Sequence, residues 1–420
     1  MKANVFYLVA LVAALVITFP SNLLAEDSPQ KPNKVEAKDD RVNVDVEDAD
    51  ISDVLSKIEK ETGVKTTIGQ GLTGKKISAR FENLNIEDSL REILKNNYYV
   101  LTYVQDTKRP EKKVLEEIKA DGDIIGKIPL PGKLITWDIP YGSGEGEIAV
   151  HDGGEGDSSG PSCYAVNDQG DIYIPAAINK KILKYTARGV QLPSIPAERA
   201  GCDIVVDNKG FIYIYSPGDK ILYQFNVKGI MIGKLDVETG NEIAGIKYIG
   251  NNIFLYSCTK GPKCGEYLIA KIKANNELIK PTAAETMEVK DEYSFQSGRK
   301  YMGKKHVQGY NDELYIESKD GTVYRTVSTP SDNILSSELF GEDLYSNFYF
   351  QTRTAENEDR LYNIDKYSPN GDYIGTAKIP GGKNYYGAFK SFQVSGNGNI
   401  YGFFPGPWKL TIYVFLSPGN

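Results

Sequence analysis

Two stretches of this chain are near copies of one another. YAVNDQGDIYIPAAINKKILKYTARGVQL (164–192) and IVVDNKGFIYIYSPGDKILYQFNVKGIMI (204–232) share one pattern. A short apolar strand leads into a polar turn ending in glycine, then (D/F)-I-Y-I. A loop, a K-I-L-x strand, a second glycine turn and a last strand follow. Four strands in about 40 residues is the size of a propeller blade. Weaker copies begin at IKYIGNNIFLYS (246–257), HVQGYNDELYIES (306–318), NFYFQTRT (347–354) and FQVSGNGNIYGFF (392–404). The last copy stops at FLSPGN, where the fifth runs on from YSPNG into DYIGTAKIP. The missing outer strand has its likeness at the front, DGDIIGKIPLP (121–131). An N-terminal strand at 121–131 is therefore expected to complete the last blade and remove an unpaired edge. The expectation is an all-β propeller of six blades over 121–420, with seven as the alternative.

The 41 glycines and 28 tyrosines suit many short strands and turns. A net charge of −7 lacks the basic excess of a nucleic-acid surface. Residues 1–25, MKANVFYLVALVAALVITFPSNLLA, carry Lys2, an apolar Val5–Phe19 core, the breakers Pro20 to Asn22, and Leu23 and Ala25 at signal-peptidase spacing. They read as a signal peptide, which places the mature chain in the periplasm or outside the cell with no transmembrane segment. In that oxidising space Cys258 and Cys264, bracketing TKGPK, are expected to pair. Cys163 and Cys202 open consecutive repeats and could pair or remain buried thiols.

Residues 26–41 are polar and proline-bearing and read as a disordered spacer. Residues 42–105 read as a small α+β unit of order βαββαβ. Ile51, Val54, Leu55 and Ile58 share a helix face behind the N-cap Asp50, with Gly63 as the stop. Asn85 caps a second helix with Ile86, Leu90, Ile93 and Leu94 on its face. VNVDVEDADISDVLSKIEKETGV and GKKISARFENLNIEDSLREILKNNYYVLTYV resemble the short N-terminal domain of secretins and TonB-dependent receptors, the STN domain. That resemblance implies an interaction module that docks to an envelope partner and brings no catalytic residues. A membrane barrel does not follow, so channel function is not carried over. Residues 106–120 read as a charged linker with a short helix. The whole is a multidomain chain, an STN-like domain followed by a propeller.

Asp168, Gly170 and Ile172–Ile174 with KILKYTARG, and Asp207, Gly210 and Ile212–Ile214 with KILYQFNVKG, resemble NHL-type six-bladed propellers. That family-level likeness implies the fold and spans scaffolds, lyases and metal-dependent lactonases. Asp168 and Asp207 read as turn residues rather than metal ligands. In HDGGEGDSSG, the carboxylates Asp152, Glu155 and Asp157 could hold Ca²⁺ on a loop, without EF-hand spacing. His306 is expected to begin an inner strand of the fourth blade, and His151 lies near the first; both are the suspects if the channel is catalytic. Trp137 and Tyr141, expected in a loop beside the closure, and Tyr385 and Tyr386 are candidate ligand-binding aromatics. No cofactor is required by any motif. The function expected is non-catalytic: a binding scaffold of the cell envelope, with a protein, peptide or glycan on the propeller. The alternative is a lyase or metal-dependent hydrolase using the central channel.

Overall fold

The computed structural model describes residues 33–38, 41–95, 97–105, 113–122, 128–151, 160–197, 203–237, 243–258, 264–282, 289–290, 292–294, 300–305, 311–318, 323–328, 334–354, 361–381 and 390–418. The signal-peptide reading therefore lies outside the described residues. Among them no helix is long and apolar enough to cross a membrane.

The N-terminal unit comprises β1 (Lys34–Lys38), β2 (Arg41–Asp50), α1 (Ile51–Thr62), β3 (Lys65–Ile68), β4 (Lys76–Asn85), α2 (Ile86–Ile93), β5 (Tyr98–Gln105) and β6 (Lys113–Gly122). From β2 to β5 the order is βαββαβ. The helix ends follow from their sequence. The Asp50 carboxylate accepts from the Ser52 amide at 3.0 Å, and the Asn85 side chain accepts from the Asp88 amide at 2.8 Å. Gly63 closes α1 at φ 76°, a left-handed conformation that glycine adopts without strain. Ile51, Val54, Leu55 and Ile58 bury one face of α1 in a core with Val42, Val44, Leu90 and Leu101. Each such side chain contributes about 1.5–3 kcal/mol relative to exposure.

Two segments differ from the sequence reading. Residues 34–38, expected within a disordered spacer, form β1 against β2, and Val35 and Ala37 pack on the core. Part of the expected linker, residues 113–120, lies in β6 (Lys113–Gly122), a strand rather than a helix. It pairs with β5 on one side and, parallel, with β3 on the other, and buries Leu115, Ile118 and Ala120. Sheet pairing and burial outweigh the helix-favouring composition of KKVLEEIKA.

The rest of the described chain is propeller-like. The first sheet is Ala165–Val166, Ile172–Ala176, Lys181–Tyr185 and Gln191–Pro196; the second is Asp203–Val206, Ile212–Ser216, Ile221–Phe225 and Met231–Asp236. The third holds Ile243–Ile249, Asn252–Cys258, Cys264–Ile272 and Leu278–Ile279, with Val289–Lys290 beside them. The fourth begins Glu292–Ser294, Lys300–Lys305, Asn311–Glu317 and Val323–Ser328. The fifth is Ile334–Glu342, Phe348–Thr354, Leu361–Tyr367 and Tyr373–Pro380; the sixth is Phe392–Val394, Ile400–Pro405 and Lys409–Leu416, completed by β7 (Lys133–Pro140). Each sheet touches the next, and the sixth touches the first.

The strand that completes the sixth sheet is N-terminal, as expected, but it is not 121–131. β7 pairs along its full length with Lys409–Leu416, Lys409 opposite Pro140 and Leu416 opposite Lys133. The earlier segment lies elsewhere. Asp121 and Gly122 end β6, and Ile128–Leu130 runs beside the fifth sheet, where Thr376 donates to Ile128 at 2.8 Å and accepts from Leu130 at 2.9 Å. Ile128–Leu130 therefore sits against the segment that 121–131 resembles.

The two parts of the chain share a sheet. β5 pairs antiparallel with Val323–Ser328, Val323 opposite Val104 and Ser328 opposite Tyr99, so it is the next strand of the fourth sheet. β6 and β3 continue outward from it. Alternate residues of β5 divide between two cores. Tyr99 and Leu101 pack in the N-terminal unit. Tyr98 and Val100 pack with Leu314, Ile316, Val327, Phe348, Phe350 and Tyr367, between the fourth and fifth sheets.

The repeated turns show why the pattern recurs. Asp207 accepts from the Lys209 and Phe211 amides at 2.9 and 2.8 Å and from the Tyr213 hydroxyl at 3.1 Å. Asp343 does the same for Tyr345, Asn347 and Tyr349, at 3.0, 2.9 and 2.8 Å. In the first sheet Asn167, not Asp168, takes this place, accepting from the Asp171 amide at 2.8 Å. An acceptor at the turn thus fixes the backbone, and in the second and fifth sheets it also holds the tyrosine six residues on.

Candidate functional site: the axial brace and the Trp408 rim

Polar side chains of the sixth sheet's first strand brace the interior. Lys390, just before that strand, donates to Asp203 Oδ1 at 2.8 Å and to the Ile246 carbonyl at 2.8 Å, with Asp203 Oδ2 at 2.7 Å. Asp203 opens the inner strand of the second sheet, and Ile246 lies on the third. The Asp203 carboxylate also accepts from the Ile246 amide at 2.6 Å. Gln393 reaches the first sheet, donating to the Tyr164 carbonyl at 2.5 Å and accepting from the Val166 amide at 3.2 Å. An ammonium has three donors, and these oxygens absorb them. Lys390 is a cross-brace between the second, third and sixth sheets.

The second arrangement lies where the ring closes. Trp137 is on β7, not in a loop. Its ring packs 4.9 Å from Tyr185 and over Gly189, whose φ of 78° and 2.7 Å clearance leave room only for glycine. Tyr141 follows β7, half-buried, and its hydroxyl donates to the Gly406 carbonyl at 2.9 Å. The loop after it is tied to the first sheet. Lys181 donates to the carbonyls of Gly144 and Glu145 at 2.6 and 2.7 Å, Asn179 donates to Gly142 at 3.2 Å, and Tyr185 donates to Gly146 at 3.1 Å.

Beside this braced loop the Pro405–Lys409 turn holds Trp408 out to solvent, 85% exposed, and Ile178 on the neighbouring hairpin is half exposed. An exposed indole on a fixed turn is a stacking platform for a sugar ring or an apolar side chain. Asp138 of β7 accepts from Lys409 at 2.7 Å and from Thr411 at 2.8 Å. Partial burial pushes its pKa up, but these two hydrogen bonds outweigh it and hold the carboxyl below its usual range.

Of the residues singled out in the sequence, Trp137 and Tyr141 are brought together with this rim, and His151 ends the same loop, exposed. His306 lies outside the described residues, between strands ending at Lys305 and starting at Asn311. Asp152, Glu155, Asp157, Tyr385, Tyr386 and Cys202 also lie outside them. Among the described residues no group of three His, Cys, Asp or Glu could hold a metal ion. Cys163 is buried in the core between the first two sheets. Cys258 and Cys264 face each other in the antiparallel register of the third sheet. Trp408 was missed in the sequence, although PGPW at 405–408 carries a turn signal around a tryptophan.

No family model matches the chain, and no curated protein matches it. Among solved structures, a streptogramin B lyase is similar at a TM-score of 0.38 and 11% identity, over 67% of this chain and 98% of that one. A member of the DUF4221 family from Bacteroides vulgatus is similar at 0.41 and 13%, over 69% and 98%. The RRP9 WD40 repeats are similar at 0.38 and 10%, over 69% and 99%. None of these likenesses carries a residue's role to this chain.

Proposed function

We propose that the chain is an exported, non-catalytic binding scaffold of the cell envelope. Its STN-like N-terminal unit docks to an envelope partner, and its six-bladed, NHL-type propeller presents a face to a protein, peptide or glycan. The observation that carries this reading is the shared fourth sheet. β5 is at once the last strand of the N-terminal core and the outer strand of a propeller sheet. Such a mount holds two surfaces in one fixed relation, which a scaffold needs and a tethered pair of domains does not supply. The Trp408 rim is the propeller surface best suited to a ligand, because its loop is braced before anything binds.

In-cell crosslinking of the full chain tests this reading. The expected result is an exported protein crosslinked to an envelope component. Trp408→Ala should weaken the propeller-side contact, and charge reversal at the exposed Lys57 and Lys60 of α1 should weaken the N-terminal one. Recovery of the chain from the cytoplasm, or crosslinks indifferent to both sets of variants, would refute it.

A further inference from the structure

The face of the fifth sheet that looks toward the fourth carries a buried cluster of oxygens. Asp365 is 1% exposed. Its carboxylate accepts from Thr352 Oγ1 at 2.7 Å and from the Thr376 hydroxyl. Because Thr376 gives its proton to Asp365, the Tyr373 hydroxyl at 2.5 Å is the donor to Thr376. Asn363 and Tyr367 lie two residues either side of Asp365, on the same face of the strand. They are 8% and 0% exposed. The Asn363 Oδ1 and Tyr367 hydroxyl oxygens are buried without a hydrogen-bond partner. The register sets Asn363 opposite Thr352 and Asp365 opposite Thr376, so three adjacent strands contribute to one cluster.

The charge of this cluster is uncompensated. No lysine or arginine among the described residues pairs with Asp365, and Lys378, opposite Asn363, is exposed. The Asp365 carboxyl thus lies buried on one strand face with an acceptor that has nothing to accept from. Native structures rarely leave such groups unanswered.

We propose that this cluster binds an alkali cation, Na⁺ or K⁺, held by Asp365, Asn363 Oδ1 and the lone pairs of Thr352. The donor set is all oxygen, which selects a hard cation. A single carboxylate balances a single positive charge, whereas Ca²⁺ sites typically draw on several carboxylates. The cation would lie in the layer that also receives Tyr98 and Val100 of β5, and so would strengthen the seat of the N-terminal unit.

The test is thermal unfolding of the full chain at a pH of about 8 and a fixed ionic strength of about 0.1 M. NaCl, KCl and choline chloride are compared. The expected result is a saturable rise in Tm of roughly 2–4 °C with Na⁺ or K⁺ over choline. Asp365→Asn should abolish that difference. Equal Tm in all three salts, as for a cluster holding only water, would overturn the proposal, as would a cation response that survives Asp365→Asn. Should Asp365→Asn not fold, crystals of the unsubstituted chain in a thallium(I) salt decide the matter. An anomalous peak beside Asp365 and Asn363 supports the site, and its absence there refutes it.

Discussion

Replacing Tyr98 with alanine asks whether β5 belongs to the propeller as much as to the unit that precedes it. Tyr98 is buried, with ring centroids 6.0 Å from Tyr367 and 6.4 Å from Tyr373, and its hydroxyl donates to the Gly371 carbonyl. Truncating a buried aromatic costs about 3–5 kcal/mol through lost transfer energy and the cavity left behind. Losing the two ring contacts and leaving the Gly371 carbonyl unanswered puts Tyr98→Ala toward the top of that range, about 4–5 kcal/mol. Set against a typical total of about 5–15 kcal/mol, this is a large share of the stability. Hydrogen exchange read by peptide is the assay. Amides of Val323–Ser328, whose outer partner is β5, should lose protection together with those of β5 itself. Leu101→Ala, three residues further along β5 and on its opposite face, should cost about 2–5 kcal/mol and expose the same two strands. Protection of Val323–Ser328 unchanged by both variants, with only the N-terminal unit loosened, would refute the shared-strand reasoning.

Lys390→Met should destabilise by about 3–5 kcal/mol, because it leaves the Asp203 carboxylate buried and unpaired; denaturant unfolding reads the cost. Asp207→Ala should cost roughly 2–3 kcal/mol by freeing two amides and a buried phenol, while Asp168→Ala should cost under about 1 kcal/mol, since Asn167 holds that turn; thermal unfolding of the pair compares them. The depressed pKa of Asp138 means its contribution is present above the unfolded value of about 3.9 and is lost as pH falls through the lower folded value. Amide exchange in β7 should therefore quicken in acid by an amount worth under about 1 kcal/mol, given the site's exposure, and Asp138→Asn should remove the effect. Cys258 and Cys264 should form a disulfide in the exported protein, because opposed antiparallel residues lie within its Cα range; non-reducing peptide mapping with an unlinked pair would refute this.

The parts of the fold that were legible in the sequence are those set by neighbours in the chain. Asp50, Gly63 and Asn85 act on backbone groups within four residues, so their roles could be read directly. The Asp207–Tyr213 lock spans six residues and left its mark as a repeat. The closure was half legible. A missing outer strand in the last sheet pointed to the N-terminus, but likeness to DYIGTAKIP picked GKIP, whereas the strand used is KLITWDIP, which matches YIGTAKIP only at Thr136, Ile139 and Pro140. Likeness there reports a shared local conformation, since Ile128–Leu130 runs alongside Thr376; it does not report equivalent places in two sheets.

The shared strand was the hardest to see, and the reason is physical. β5 meets Val323–Ser328 across more than 200 residues of chain, and neither segment carries a local sign of the other. Counting strands would not have revealed it, because the fourth sheet already has four strands of its own, from Glu292–Ser294 to Val323–Ser328, before β5 joins. The trace that remains lies in β5, YYVLTYVQ. Its unbroken apolar run suits a strand buried on both faces, where a strand covered on one face would alternate. The same logic ties the two halves of the molecule into one cooperative body, because whatever loosens β5 opens two cores at once.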